Sequence, residues 1–173
     1  MLRKSYDRFC DDKCFEFFIN DQILGSFTYN IEPDGDIYIY NLHIYDNANH
    51  GKGYGTQMVK ELVEFFTKHY PNHSITLTTL LDNFPAIGTY LKNGFIPYRI
   101  MGDTWTNMVY NDSSPCTRKI IADGKKFMEK NETTRNRYLC NLLSTNKNLH
   151  YIFNKLRLNL DKKLWEHWDN ERA

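Results

Sequence analysis

The sequence predicts an α/β domain followed by a helical extension, and three observations carry that prediction. An alternating apolar segment, Ile37-Tyr38-Ile39-Tyr40-Asn41-Leu42-His43-Ile44, runs through a glycine-rich stretch into a helical pattern that starts at Thr56. Turn signals at Asn20-Asp21 and Pro33-Asp34-Gly35 separate segments rich in β-branched and aromatic residues. After Pro115 no strand pattern follows, and apolar residues recur at helical spacing.

In chain order, Cys14 to Ile19 reads as a strand, and Gln22 to Asn30 as its hairpin partner. Asp36 to Tyr45 is the next strand. The helix from Thr56 to His69 places Met58, Val59, Leu62, Val63 and Phe66 on one stripe, and Pro71 ends it. Ser74 to Leu81 reads as a buried strand. Pro85 suits a helix's first turn, and Gly94 suits its end. Ile96 to Ile100 and Thr104 to Tyr110 are two further strands. Three helices are expected beyond: one around Ile120 and Phe127, one around Leu139 and Leu142, and a long one from Leu149 to Trp168. The division is residues 1–112 as a domain and 113–173 as a basic amphipathic extension packed on it.

Length and composition narrow the function classes. At 173 residues with 41% hydrophobic and 15% aromatic content, one packed domain with an appendage is the expectation. No apolar run nears the 18 residues of a membrane span, and Met1 to Asp7 lacks a signal-peptide core, so an intracellular, cytoplasmic protein is expected. Four cysteines at 10, 14, 116 and 140 form no matched pairs, which reads as free thiols and no metal. The net charge of +1 hides an asymmetry: residues 1–117 carry net −5 and residues 118–173 net +6. An acidic front half suits a cationic acceptor. The basic tail invites a nucleic-acid reading, but Trp165, Trp168 and Tyr151 at helical spacing fit a packed core better than a stacking platform.

The run His50-Gly51-Lys52-Gly53-Tyr54-Gly55-Thr56 is the chemical focus. Glycines let the backbone turn tightly and approach a ligand closely. The N–H groups at a helix start lack partners, and the helix dipole adds positive potential there. Strand, glycine turn and helix start together make a seat for a phosphate or pyrophosphate. A glycine-rich hairpin turn has the same composition.

Two motifs in order resemble the GCN5-related N-acetyltransferase (GNAT) superfamily. Its phosphate motif, Arg/Gln-x-x-Gly-x-Gly/Ala, is matched by His50, Gly53 and Gly55, with His50 in place of Arg or Gln. Its second signature is matched at every spacing by Asn83, Ala86, Tyr90, Gly94 and Phe95. The resemblance spans roughly Phe15 to Tyr110. It implies a mixed, mostly antiparallel sheet flanked by helices. About 13 residues precede the first hairpin, too few for the family's usual N-terminal strand-helix-helix unit. The C-terminal helices are expected to cover the sheet surface that unit would cover. Homodimerisation through those helices is the competing expectation.

The resemblance further implies transfer of an acetyl group from acetyl-CoA to a primary amine, on a small molecule or a protein. The backbone from His50 to Thr56 would hold the pyrophosphate. Leu42, His43 and Ile44 would offer backbone groups to the pantetheine arm and the thioester oxygen, which requires a bulge or splay near Leu42. Asn83 would bond the cofactor arm, or cap a helix, or both. Tyr90 would be the general acid, since a phenol keeps its proton at neutral pH. The base is open. Tyr38 and Tyr40 occupy the family's positions and are poor bases, which leaves a water chain, Asp36, Glu32 or His43; simple alternation puts His43 on the face opposite Tyr38 and Tyr40. The alternative is a catalytically weak GNAT-fold module that binds CoA or a partner protein.

Overall fold

A computed structural model of the chain describes residues 1–4, 13–80, 82–101, 105–112 and 114–129. It contains β1 (Leu2–Lys4), β2 (Cys14–Ile19), β3 (Gln22–Ile31), β4 (Ile37–Ile44), α1 (Tyr54–His69), β5 (Ile75–Leu80), α2 (Phe84–Lys92), β6 (Phe95–Met101), β7 (Trp105–Tyr110) and α3 (Pro115–Glu129), with a short 3₁₀ turn at Asn47–Asn49. The strands form one seven-stranded sheet in the order β1-β2-β3-β4-β5-β7-β6. Only β4 and β5 run parallel; every other neighbouring pair is antiparallel. The expected mixed, mostly antiparallel sheet is therefore the observed one.

Local sequence explains most element boundaries. Asn20 and Asp21 both take positive φ (49° and 61°), the backbone of a two-residue hairpin turn that matches strand twist. Helix α1 begins two residues before the expected Thr56. Gly53 at φ 86° turns the chain early enough for Tyr54 and Gly55 to enter the helix. Its last turn carries Lys68 and His69, whose charge suits the helix C-terminus. The Asn83 side chain caps α2 by accepting the Ala86 N–H at 3.3 Å, and Gly94 at φ 86° ends it. A short strand, β1, pairs with β2 where the sequence suggested no strand. Three residues are too few for a periodicity to register; pairing with an existing edge makes them a strand.

One apolar core lies between the sheet and the helices α1 and α2. The predicted stripe of Met58, Val59, Leu62, Val63 and Phe66 is buried in full. Phe15, Phe27, Tyr29 and Phe66 meet ring to ring with centroids 5.0–6.4 Å apart. Burying each such side chain contributes roughly 1.5–3 kcal/mol. On the other sheet face, Ile96 and Val109 are buried next to α3, which packs on β6 and β7. The two further helices expected after Glu129, and with them the dimerisation surface, lie outside the described residues.

The register of β3 with β4 decides what the site contains. Thr28 pairs with Tyr40 and Ser26 with His43, so Asn41 and Leu42 together oppose Phe27. This is a β-bulge, with Asn41 in the left-handed conformation (φ 50°). The bulge expected near Leu42 is present. It also corrects the predicted facing of His43. Residues paired directly across a ladder share a face. Thr28 and Ser26 share a face of β3, so Tyr40 and His43 share that face of β4. The extra residue reverses the alternation, and Leu42 and Ile44 pack toward the core beyond Ile37 and Ile39.

Candidate active site

Strands β4 and β5 pair from Ile37/Ile75 to Ile39/Leu77 and then part. Past that point β5 keeps its antiparallel partner β7 to Leu80, while β4 follows β3 through the bulge. The facing edges of Tyr40–Ile44 and Thr78–Leu80 are left without ladder partners for each other. A cleft of about 750 Å³ opens there, within the size range of small-molecule sites.

The start of α1 faces this opening. Gly53 caps the helix with no side-chain hydrogen bond, and the first intrahelical bond runs from the Gln57 N–H to the Gly53 carbonyl at 3.0 Å. The N–H groups of Tyr54, Gly55 and Thr56 therefore have no partner within the helix. A Cβ on Gly51 or Gly53 would meet nothing within 4 Å, so the space above the turn is open. Positive φ at both positions favours glycine. The exposed His50 ring places Nε2 3.3 Å from the Ile44 carbonyl, which ties the turn to the end of β4.

Of the glycine run His50 to Thr56, the Leu42-to-Ile44 segment, Asn83 and Tyr90, all residues but one line the cleft. Leu42, His43, Ile44, His50, Gly51, Gly53, Tyr54, Gly55, Thr56, Asn83 and Tyr90 are all in its wall; Lys52 is not. Tyr90 reaches the cleft from α2 and is 6% exposed. Burial pushes its phenol up to about 12, so it holds its proton throughout the neutral range. The carboxyl of Asp36 lies at the opposite end of β4, where it accepts the Ser74 hydroxyl, and burial raises it above the ordinary carboxylate range. Five residues separate it from Asn41, roughly 16 Å of strand. Glu32 and Tyr38 are likewise absent from the cleft wall.

Three contributors were not legible beforehand. Trp105, 43% exposed, and Thr89 line the cleft. Asn93 ties the end of α2 to the start of α1, donating to the carbonyls of Thr89 (2.9 Å) and Thr56 (3.2 Å). A lone Trp, Thr or Asn carries no pattern, so no local signal marked them. Cys14 and Cys116 form no disulfide, and no metal-binding cluster of His, Cys, Asp or Glu occurs among the described residues. No helix among the described residues is long and apolar enough to cross a membrane.

A mixed sheet splayed between its two parallel strands, with the start of α1 at the mouth of the splay, defines the fold class. The chain belongs to the acetyltransferase (GNAT) family, whose family model matches residues 2–95, more than half of its length. No curated protein matches it. Among solved structures, an aminoglycoside acetyltransferase in complex with coenzyme A is 23% identical, with TM-score 0.52, covering 58% of this chain and 66% of that one. A variant spermidine N-acetyltransferase from Vibrio cholerae is 14% identical, with TM-score 0.51, covering 58% of this chain and 68% of that one. At these identities the likeness is one of fold. This chain thus spans just under two thirds of the aminoglycoside enzyme's length.

Proposed function

We propose that the protein is an N-acetyltransferase that moves an acetyl group from acetyl-CoA to a primary amine by direct attack. The observation that carries this is the splay of β4 from β5 past Ile39, with the unpartnered N–H groups of α1 at its mouth and Tyr90 in its wall. The residues present fit acetyl-CoA, which supplies the activated acetyl thioester. The α1 start and the open glycine turn would hold its pyrophosphate. The free edges of β4 and β5 would pair with the amide-bearing pantetheine arm much as they would with an added strand. Asn83 at the rim would bond that arm while capping α2.

The bulge frees backbone groups of β4 near Leu42, and an N–H there aimed at the thioester oxygen would stabilise the oxyanion. One such donor lowers the barrier by roughly 2.7–4 kcal/mol. Tyr90 would give its proton to the CoA sulfur as the carbon–sulfur bond breaks. A cationic acceptor is supported by the acidic front half and by the stacked rings of Tyr38 and Tyr40, 6.0 Å apart on the face they share with His43.

Calorimetric titration tests the binding half. Acetyl-CoA should bind and ATP should not, and an absence of acetyl-CoA binding would end the proposal. Turnover across an amine panel tests the chemical half. Tyr90→Phe should lower kcat on the order of 10²–10⁴-fold with acetyl-CoA affinity unchanged. Acetyl-CoA binding without turnover of any amine would instead favour the non-catalytic module.

A further inference from the structure

We infer that His43 is the proton acceptor of this site, acting through Nε2, and that the Asn41 carbonyl sets the ring for that task. The inference rests on the acetyl-transfer function proposed above. Its basis is the bulge. His43 Nδ1 lies 2.9 Å from the Asn41 carbonyl oxygen. A carbonyl only accepts, so Nδ1 carries the hydrogen, and the neutral ring keeps its lone pair on Nε2. Hydrogen bonding at one ring nitrogen selects the role of the other. The Asn41 carbonyl reaches its own neighbour's ring because Asn41 sits in the left-handed conformation at the bulge. The Tyr45 ring packs edge-on to the imidazole at 4.7 Å between centroids and restricts its rotation.

The same bulge brings His43 to the Tyr40 face and into the cleft wall. Tyr90 enters the cleft from the core face and His43 from the other, so the two proton-transfer groups flank the opening between β4 and β5. Nε2 takes one proton from the bound ammonium, and the nitrogen lone pair so freed attacks the acetyl carbon. Tyr90 gives its proton to the CoA sulfur as the carbon–sulfur bond breaks, and the proton that the new amide nitrogen sheds replaces it. His43 returns its proton to solvent. The groups facing His43 are Tyr40 and Tyr45 on its own chain segment, Ser26 on β3 and, in the same cross-strand row, Glu16 on β2. Two strand spacings put Glu16 about 10 Å away, next to Arg3 of β1 in the same row.

The test uses His43→Gln, which keeps an amide donor for the Asn41 carbonyl and removes the base. Acetyl-CoA affinity should be unchanged. Turnover of strongly basic amines should fall on the order of 10²–10⁴-fold. Weakly basic acceptors, hydrazines and anilines that are already unprotonated at neutral pH, should lose no more than a few fold. The pH dependence of turnover should differ between parent and variant. An equal loss for every acceptor, or identical pH profiles, would overturn the role. An independent readout is the two-bond ¹H–¹⁵N spectrum of histidine-labelled parent protein, with His43 assigned from the variant. It should show the hydrogen on Nδ1; a hydrogen on Nε2 in the neutral ring would overturn the inference even in an active enzyme. A parent that turns over no amine sinks the transfer function and this role with it, whereas an active parent with an indifferent His43→Gln sinks this role alone.

Discussion

The two halves of β4 share one strand and do opposite work. Ile37 and Ile39 are 0% and 2% exposed, paired with β3 on one side and β5 on the other. Asn41 to Ile44 hold only β3, are half-buried or exposed, and carry a left-handed residue. The first half fixes the strand by burial and two ladders. That rigidity lets the second half leave β5 and present backbone groups and an imidazole to a cleft. A site made of unpaired backbone needs an anchor that does not yield, and here the anchor is three residues upstream on the same strand.

The comparison predicts a graded series of effects. The largest falls on the anchor. Ile39→Ala removes a buried side chain from between two ladders and should lower stability by about 2–5 kcal/mol in urea denaturation. A smaller stability loss with unaltered folding cooperativity would mean that the anchor half is not what holds the strand. Next comes Gly25, where an added Cβ would lie 2.5 Å from the His43 carbonyl oxygen. That neighbour is backbone and cannot swing away, so Gly25→Ala should cost about 1–3 kcal/mol. It should also weaken acetyl-CoA binding in samples that calorimetry shows to be folded, because it pushes on the bulge itself. Unchanged binding would separate the bulge from the cleft. The smallest effect belongs to Asn41. Alanine tolerates left-handed backbone less well than asparagine, so Asn41→Ala should cost about 1 kcal/mol of stability. Asn41→Gly should restore the geometry, and a thermal melt of both variants checks the pair.

Much of this was legible in local sequence, and the reason differs by element. Asn20-Asp21 and Gly94 mark turns because few residues accept positive φ, so composition reports backbone conformation directly. The α1 stripe is legible because one helix face meets one core, which writes a 3.6-residue period into the chain. The glycine turn was legible because positive φ selects glycine before a helix start, and the Asn83-to-Phe95 spacing because it resembles a family signature. Asn93 and Trp105 were not legible, because each acts across the fold on a partner far away in sequence.

By itself, then, the sequence determined most elements and their order, since these follow from local conformational preference, and the family resemblance of its motifs pointed to eleven residues that line the cleft. Tertiary structure alone decided the facing of His43. A strand's alternation predicts faces only while the ladder is regular, and one bulged residue, opposed by Phe27 on the neighbouring strand, reverses every side chain beyond it. It also decided that Lys52 stays out of the cleft wall and that Asp36 lies a strand's length from it, because position along a splayed sheet is a property of pairing between strands and not of any single strand.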